Sequence, residues 1–93
     1  MREIDRSRRF EKDYKREKKN PLHKQLDLLL AGVLANLIDD FHLSPKYRDH
    51  ALTGNYAGYR DCHLKADLLL IYQKIDFDVL YFSRLGSHAE LFD

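Results

Sequence analysis

The stretch YAGYRDCHLKADLLLIY, residues 56–72, decides how this chain folds. Leu68 to Tyr72 form an almost unbroken apolar run. A short run of this kind reads as a core strand. Just before it, Asp61, His63 and Asp67 place three ionisable groups within seven residues. A core strand is thus joined to a polar mouth. Side chains alternate faces along a strand. Across a two-residue turn His63 and Asp67 point to opposite faces; across a three-residue turn, Leu64 to Ala66, they share one. A site that uses both requires an odd loop or a β-bulge between them.

Strands are expected at about Tyr59–Leu64, Leu68–Lys74 and Val79–Leu85, with Asp76-Phe77-Asp78 turning the last hairpin. Gly86 ends the third strand, and Ser87 to Phe92 suit one helical turn. Upstream, Phe41 to Asn55 holds Pro45, Gly54 and many polar residues and reads as a loop. Before it, Leu22, Leu26, Leu29, Leu30, Val33, Leu34, Leu37 and Ile38 recur at three- and four-residue steps. They predict a core helix from Pro21 or Leu22 to about Asp40. Asn20-Pro21 marks its start. Ser7 suits an N-cap for a first helix, Arg8 to Lys19, with Phe10 and Tyr14 inward and a Glu11–Lys15 pair outward. Arg2 to Arg6 suits a short edge strand. The order βααβββ, with a short C-terminal helix, predicts an α+β domain over residues 1–93, a helical hairpin on an antiparallel sheet.

A chain of 93 residues holds one modest core, so a substrate site is expected as an open groove. A single cysteine, Cys62, rules out an internal disulfide and fits a reducing cytosol. The charged start MREIDRSRRF lacks the apolar core of a signal peptide, and Leu26 to Ile38 is too short and polar to span a bilayer. Neither feature points to a membrane. Residues 1–24 carry ten Lys or Arg against five acids. This segment is either a solvated helix face or a contact for a polyanion.

Five histidines are present. His23 and His42 are expected to face solvent. His50, His63 and His88 sit at element ends beside Asp49, Asp61 or Asp67, and Glu90. Their spacing lacks the local pairs typical of metal ligands, so no metal and no cofactor is expected. Histidine can both take and give a proton at neutral pH. Cleaving an RNA phosphodiester requires removal of the 2′-OH proton, protonation of the leaving 5′ oxygen and a cation for the charge on phosphorus. His50, His63, Asp67 and His88 offer proton transfer. Arg84 either grips the phosphate or forms a structural ion pair with Asp67 or Asp61. Tyr47, Tyr56, Tyr59 and Phe92 lie near the polar cluster in sequence, where rings could stack on bases. Cys62 reads as a small apolar filler, not a nucleophile.

Two segments carry a family pattern: KYRDHALTGNYAGYRDCHLKADLLLIY, residues 46–72, and RLGSHAELF, residues 84–92. They resemble the YafQ-type toxins of the RelE superfamily. The resemblance implies a RelE-like, microbial-ribonuclease-type fold and a ribosome-dependent endoribonuclease that cuts mRNA by attack of the 2′-OH. It implies a cytoplasmic toxin neutralised by a cognate DinJ-like antitoxin, with operator DNA reached only through that antitoxin. By motif position the catalytic set is His50, His63, Asp67, Arg84 and His88. Phe92, Arg60 and Asp61 would bind substrate. On chemical grounds His88 is expected as general acid or base on one side of the phosphate, with His50, or His63 held by Asp67, as its counterpart and Arg84 stabilising the charge. The basic helix, through Arg8, Arg9, Lys12, Lys15 and Arg16, would meet ribosomal RNA. Some relatives carry an aromatic where Leu68 stands, which removes a stacking role there. The alternative is a module that binds ribosome or antitoxin without cutting, or a co-repressor of its own operon.

Overall fold

The structure, a computed structural model, describes residues 1–92. Its elements are β1 (Glu3–Arg6), α1 (Arg8–Lys18), α2 (Leu26–Ile38), β2 (His50–Ala51), β3 (Arg60–Lys65), β4 (Leu68–Ile75), β5 (Val79–Gly86) and α3 (His88–Phe92). The strands form one sheet in the order β1-β5-β4-β3-β2. The run Leu68–Tyr72 is 0% exposed because both faces of β4 are covered. Leu68, Leu70 and Tyr72 pack with Phe10, Leu26, Val33 and Leu37 of the two helices. Leu69 and Ile71 pack with Leu91, Leu52, Tyr56 and Tyr59 on the other face. Burying one such side chain contributes about 1.5–3 kcal/mol, so β4 anchors the fold.

The sheet is mixed, not purely antiparallel. β1 runs parallel to β5, with Glu3 opposite Val79 and Arg6 opposite Phe82. No hairpin joins these two strands, so no turn dictates their direction. Where β1 ends, α1 takes over the bare edge of β5. Asp13 Oδ2 accepts from the Leu85 N–H at 3.0 Å, and Arg16 Nη2 donates to the Leu85 carbonyl at 3.0 Å. Side chains there stand in for strand backbone. Ser7 caps α1 as expected, its Oγ 2.9 Å from the Phe10 N. The Glu11–Lys15 pair is not among the ion pairs of the described residues; in α1, Arg16 pairs with Asp13 and Glu17 instead.

The expected second helix is divided. The Asn20 side chain caps a 3₁₀ turn, Pro21–His23, by accepting from the Leu22 N–H at 2.9 Å. Gln25, at φ −106° and ψ 28°, separates that turn from α2. Leu22 falls outside the buried stripe and is 75% exposed. Tyr14 and Lys18 of α1 both bond the Asp27 carboxylate at the start of α2, tying the helices together. The expected loop before β3 contains β2, whose two residues are too few to leave a periodicity in the sequence. Among the described residues no helix is long and apolar enough to cross a membrane.

Candidate active site

The strand register gathers the ionisable residues on the sheet face away from α2. His50 lies opposite Asp61, Asp61 opposite Ile71, and Ile71 opposite Arg84. Residues directly opposite share a face, so these four form one row. In the next row His63 lies opposite Leu69, and Leu69 opposite Gly86. From Gly86 the chain turns into α3 and presents His88.

Two bulges make the rows possible. His63 pairs with Leu69 but Lys65 pairs with Leu68, leaving Leu64 as the extra residue. Leu64 joins the helix-side core while His63 keeps the opposite face. The odd spacing that the site requires is thus supplied by a bulge, not by a three-residue loop. The second bulge lies between β4 and β5, where Tyr72 pairs with Phe82 and Ile71 with Arg84, so Ser83 is extra. Without it Phe82 and Arg84 would share a face. With it Phe82 and Leu85 stay in the core and Arg84 turns to the site.

Asp67 supports His88, and none of its hydrogen bonds among the described residues reaches His63. Its Oδ1 accepts from the His88 N–H at 3.0 Å and lies 3.0 Å from His88 Nδ1. These two bonds, the backbone one first, hold the Asp67 carboxyl below its usual range. A carboxylate facing Nδ1 fixes the proton there and leaves Nε2 for exchange with a substrate. A capping box sets the helix that carries His88. Ser87 Oγ accepts from the Glu90 N–H at 3.1 Å, and Glu90 Oε1 accepts from the Ser87 N–H at 2.8 Å. The spacing Ser87-x-x-Glu90 is a signal that sequence reasoning passed over.

His50 is held in the same way. Its Nδ1 lies 2.8 Å from the Arg48 carbonyl and 3.1 Å from Asp61 Oδ1. A carbonyl only accepts, so Nδ1 carries the proton and Nε2 is the free base. Asp61 is 2% exposed. Burial raises its carboxyl, and His50, His63 and His88 offset that only in part. The Asp61 Oδ1 contact with His50 is close but not aligned as a hydrogen bond. His63 is buried, its ring 5.4 Å from that of His88. Three imidazoles therefore surround one buried carboxyl.

Arg84 is 8% exposed and bonds Asp13 through Nε at 2.7 Å and Nη2 at 3.3 Å. The structural ion pair foreseen for it does form, but with Asp13 of α1 and not with Asp61 or Asp67. Burial raises the Asp13 carboxyl; its bonds with Arg84 and the Leu85 N–H, and the charges of Arg84 and Arg16, outweigh burial and hold it low. The bond to Asp13, ahead of the opposing effect of burial, holds Arg84 charged. Two donors go to Asp13, so others of the guanidinium remain for a phosphate.

Other residues sit elsewhere. Arg60 neighbours Asp61 on β3 and so faces the helix side. It bonds both Asp49 oxygens at 3.3 Å, and the Tyr72 hydroxyl donates to the same carboxylate. This cluster anchors the chain entering β2 and sets His50 opposite Asp61; it is not part of the site. Arg16 is tied to Asp13, Glu17 and Glu90 at 2.7–2.9 Å. Arg8, Arg9, Lys12 and Lys15 are exposed. His23 is buried, not solvent-facing, 3.3 Å from Glu17 and 3.2 Å from Lys65 Nζ. His42 is exposed as expected. Cys62 is fully buried and its thiol is pushed up by burial, which fits a filler. Phe92 lies 6.2 Å from His88 and 5.7 Å from Tyr56, ring to ring. Asp13 was missed: a lone acid in a basic helix gives no sign of its partner 71 residues away. Among the described residues no group of three or more His, Cys, Asp or Glu could hold a metal ion.

Fold and site define a small α+β domain with helices on one sheet face and a histidine–carboxyl cluster suited to proton transfer on the other. Residues 2–93 match the family described as the bacterial toxin of type II toxin–antitoxin system, YafQ. The chain is 37% identical over 92 residues to the mRNA interferase toxin YafQ of Escherichia coli K12, covering 99% of this chain and 97% of that protein. Its structure is similar to that of a copper-bound mutant toxin from Helicobacter pylori, with TM-score 0.88, 36% identity, and 99% of this chain and 100% of that one covered. It is also similar to a chain of the E. coli DinJ–YafQ complex, with TM-score 0.85, 38% identity and 100% of each chain covered. The chain belongs to the YafQ family of type II toxins.

Proposed function

We propose that this chain is an endoribonuclease toxin, one domain over residues 1–93, that cuts mRNA on the ribosome in the cytoplasm. The observation that carries the reading is the row and its neighbours: His50 and His88, each with Nδ1 held by an acceptor, beside buried His63. His50 Nε2 takes the 2′-OH proton as that oxygen attacks phosphorus. His88 Nε2 gives a proton to the leaving 5′ oxygen. The products are a 2′,3′-cyclic phosphate and a 5′-OH. His63, between them, and the donors left on Arg84 stabilise the phosphorane charge. His50 and Arg84 stand three strand spacings apart, about 14 Å across the backbone, so the phosphate lies between them.

The exposed cations Arg8, Arg9, Lys12 and Lys15 would dock on ribosomal RNA through a salt-sensitive contact. Arg16 is excluded from that role by its ion pairs. The E. coli relative is seen with DinJ; a DinJ-like antitoxin would neutralise this toxin and alone reach operator DNA. The test is induced expression with mapping of mRNA 5′ ends, wild type against His88→Ala. Cleavage should fall by about 10²–10⁴-fold. Undiminished cleavage refutes the mechanism. Growth arrest with no cleavage even in the wild type would favour a binding module instead.

A further inference from the structure

A cleft of about 370 Å³ opens along the end of β3 that β2 leaves uncovered, since β2 pairs only with Arg60 and Asp61. Buried His63 lines it, with Leu29 and Tyr47 half-buried beside it, and the exposed cations Lys46, Arg48 and Lys65 complete the lining. No acid is among the lining residues. We propose that this cleft is a second phosphate subsite, which holds a backbone phosphate of the strand being cut on the 5′ side of the scissile bond. The proposal rests on the nuclease reading.

Arg2, Arg16, Arg60 and Arg84 each pair with a carboxylate. Neither Lys46 nor Arg48 takes part in an ion pair among the described residues, so both charges are uncommitted. The Lys46 ammonium lies 5.0 Å over the Tyr47 ring, which holds it at the cleft. Lys65 Nζ donates to the Leu22 carbonyl and lies 3.2 Å from His23 Nδ1, and its ammonium keeps a further donor. Arg48 stands at φ 49° and ψ 40°, in the left-handed region that suits Gly or Asn better than Arg. That backbone serves His50, whose Nδ1 faces the Arg48 carbonyl at 2.8 Å. The long cationic side chain is not needed for this, so it answers to something outside the fold. His63 joins the cleft to the histidine cluster: it lies 5.4 Å from the His88 ring, and its Nδ1 has no hydrogen-bond partner among the described residues. The 5′ side follows from which histidine the cleft adjoins. Lys46 and Arg48 lead into His50, which faces the attacking 2′-OH, whereas His88, on the leaving-group side, is carried by α3 and does not line the cleft. An adjoining hollow of about 420 Å³ shares Leu29 and Lys65, adds Lys24 and is also lined by no acid, so the positive track continues away from the cut.

The experiment is single-turnover cleavage with toxin in excess over ribosomes, using mRNAs in which one phosphate at a time beside the cut is replaced by an uncharged methylphosphonate. One replacement 5′ to the cut should slow the wild type by about tenfold, the loss of one charge-assisted contact. Arg48→Asn, which keeps the left-handed backbone and removes the cation, should slow cleavage of unmodified mRNA about as much and be indifferent to that replacement. Arg48→Lys should keep most of the rate. Lys46→Gln repeats the test at an exposed side chain with no special backbone, so a poorly folded Arg48 variant does not end it. Wild-type rates in both Arg48→Asn and Lys46→Gln would overturn the subsite. So would losses that couple only to a phosphate 3′ to the cut, or to none, and so would equal losses in Arg48→Lys and Arg48→Asn. Losses seen at low toxin that vanish in excess would assign the cations to ribosomal RNA and overturn it as well. His88→Ala runs alongside. If it is silent while the cleft variants behave as wild type, only the subsite fails; if it cuts normally, the nuclease reading fails first.

Discussion

Asp13→Ala should unfold this protein more readily than any surface change and should expose how Arg84 is used. The Asp13 carboxylate accepts from Arg84 Nε at 2.7 Å, Arg84 Nη2 at 3.3 Å, the Leu85 N–H at 3.0 Å and Arg16 Nη1 at 2.9 Å. Asp13 is 3% and Arg84 8% exposed. Removing the acid leaves a buried guanidinium uncompensated, at a cost of about 3–5 kcal/mol. For a domain of this size that lowers Tm by at least about 12 °C. Urea unfolding followed by circular dichroism measures it, with the midpoint falling and the slope unchanged. The folded Asp13 carboxyl lies below its ordinary value of 3.8. Its contribution is therefore complete above that value and is lost as pH falls through the lower folded value, so wild type and variant should converge in acid. A second arm separates anchoring from chemistry. Asp13→Leu with Arg84→Met replaces the pair by apolar groups, which often restores stability. That double variant should fold but not cut. A cost below about 1 kcal/mol for Asp13→Ala would mean that Arg84 turns to solvent, and full cleavage by the double variant would make Arg84 an anchor only.

A Cβ at Gly86 would lie 2.9 Å from Arg16 Nη2 and 3.0 Å from Glu90 Oε1, so both side-chain ends, and the bonds they make, would have to shift. Gly86→Ala should cost about 1–3 kcal/mol in thermal melts and should lower cleavage as α3 shifts. Asp49→Ala strips the partner of both Arg60 and the buried Tyr72 hydroxyl; about 1–3 kcal/mol should be lost in urea titrations, and Tyr72→Phe added to it should lose little more. Asp67→Asn should slow cleavage at neutral pH by about tenfold or more, because an amide can donate to Nδ1 and favour the wrong tautomer. The wild-type Asp67 bonds to His88 hold above pH 3.8 and are lost below the lower folded value, so the two proteins should differ across the neutral range and not in strong acid. Cys62, fully buried with its thiol raised, should resist iodoacetamide until the chain is unfolded, as mass spectrometry would show.

The parts of the molecule legible in the sequence and the parts that were not differ for one physical reason, the phase of side-chain alternation. Helix stripes and strand positions repeat locally, so α1, β3, β4 and β5 could be placed to within a residue or two from pattern alone. The candidate site residues were named where motif and chemistry coincide, at His50, His63, Asp67, Arg84 and His88. Which of them touch could not be read. Leu68–Tyr72 is apolar at every position because both faces are covered, and such a run carries no phase. A neighbouring strand can then shift by one residue without a visible break in pattern, and it does so on both sides, at Leu64 and at Ser83. Each shift moves a polar residue to the site face while an apolar neighbour stays in the core: His63 against Leu64, Arg84 against Phe82 and Leu85. A strand buried on both sides is therefore more than an anchor here. It tolerates either phase in its neighbours, so the bulges can set the histidine-bearing face without a penalty in the core. The same argument explains why Asp13 was invisible. Only once Ser83 turns Arg84 off the helix-side core does its guanidinium reach α1, and that contact exists in the fold alone.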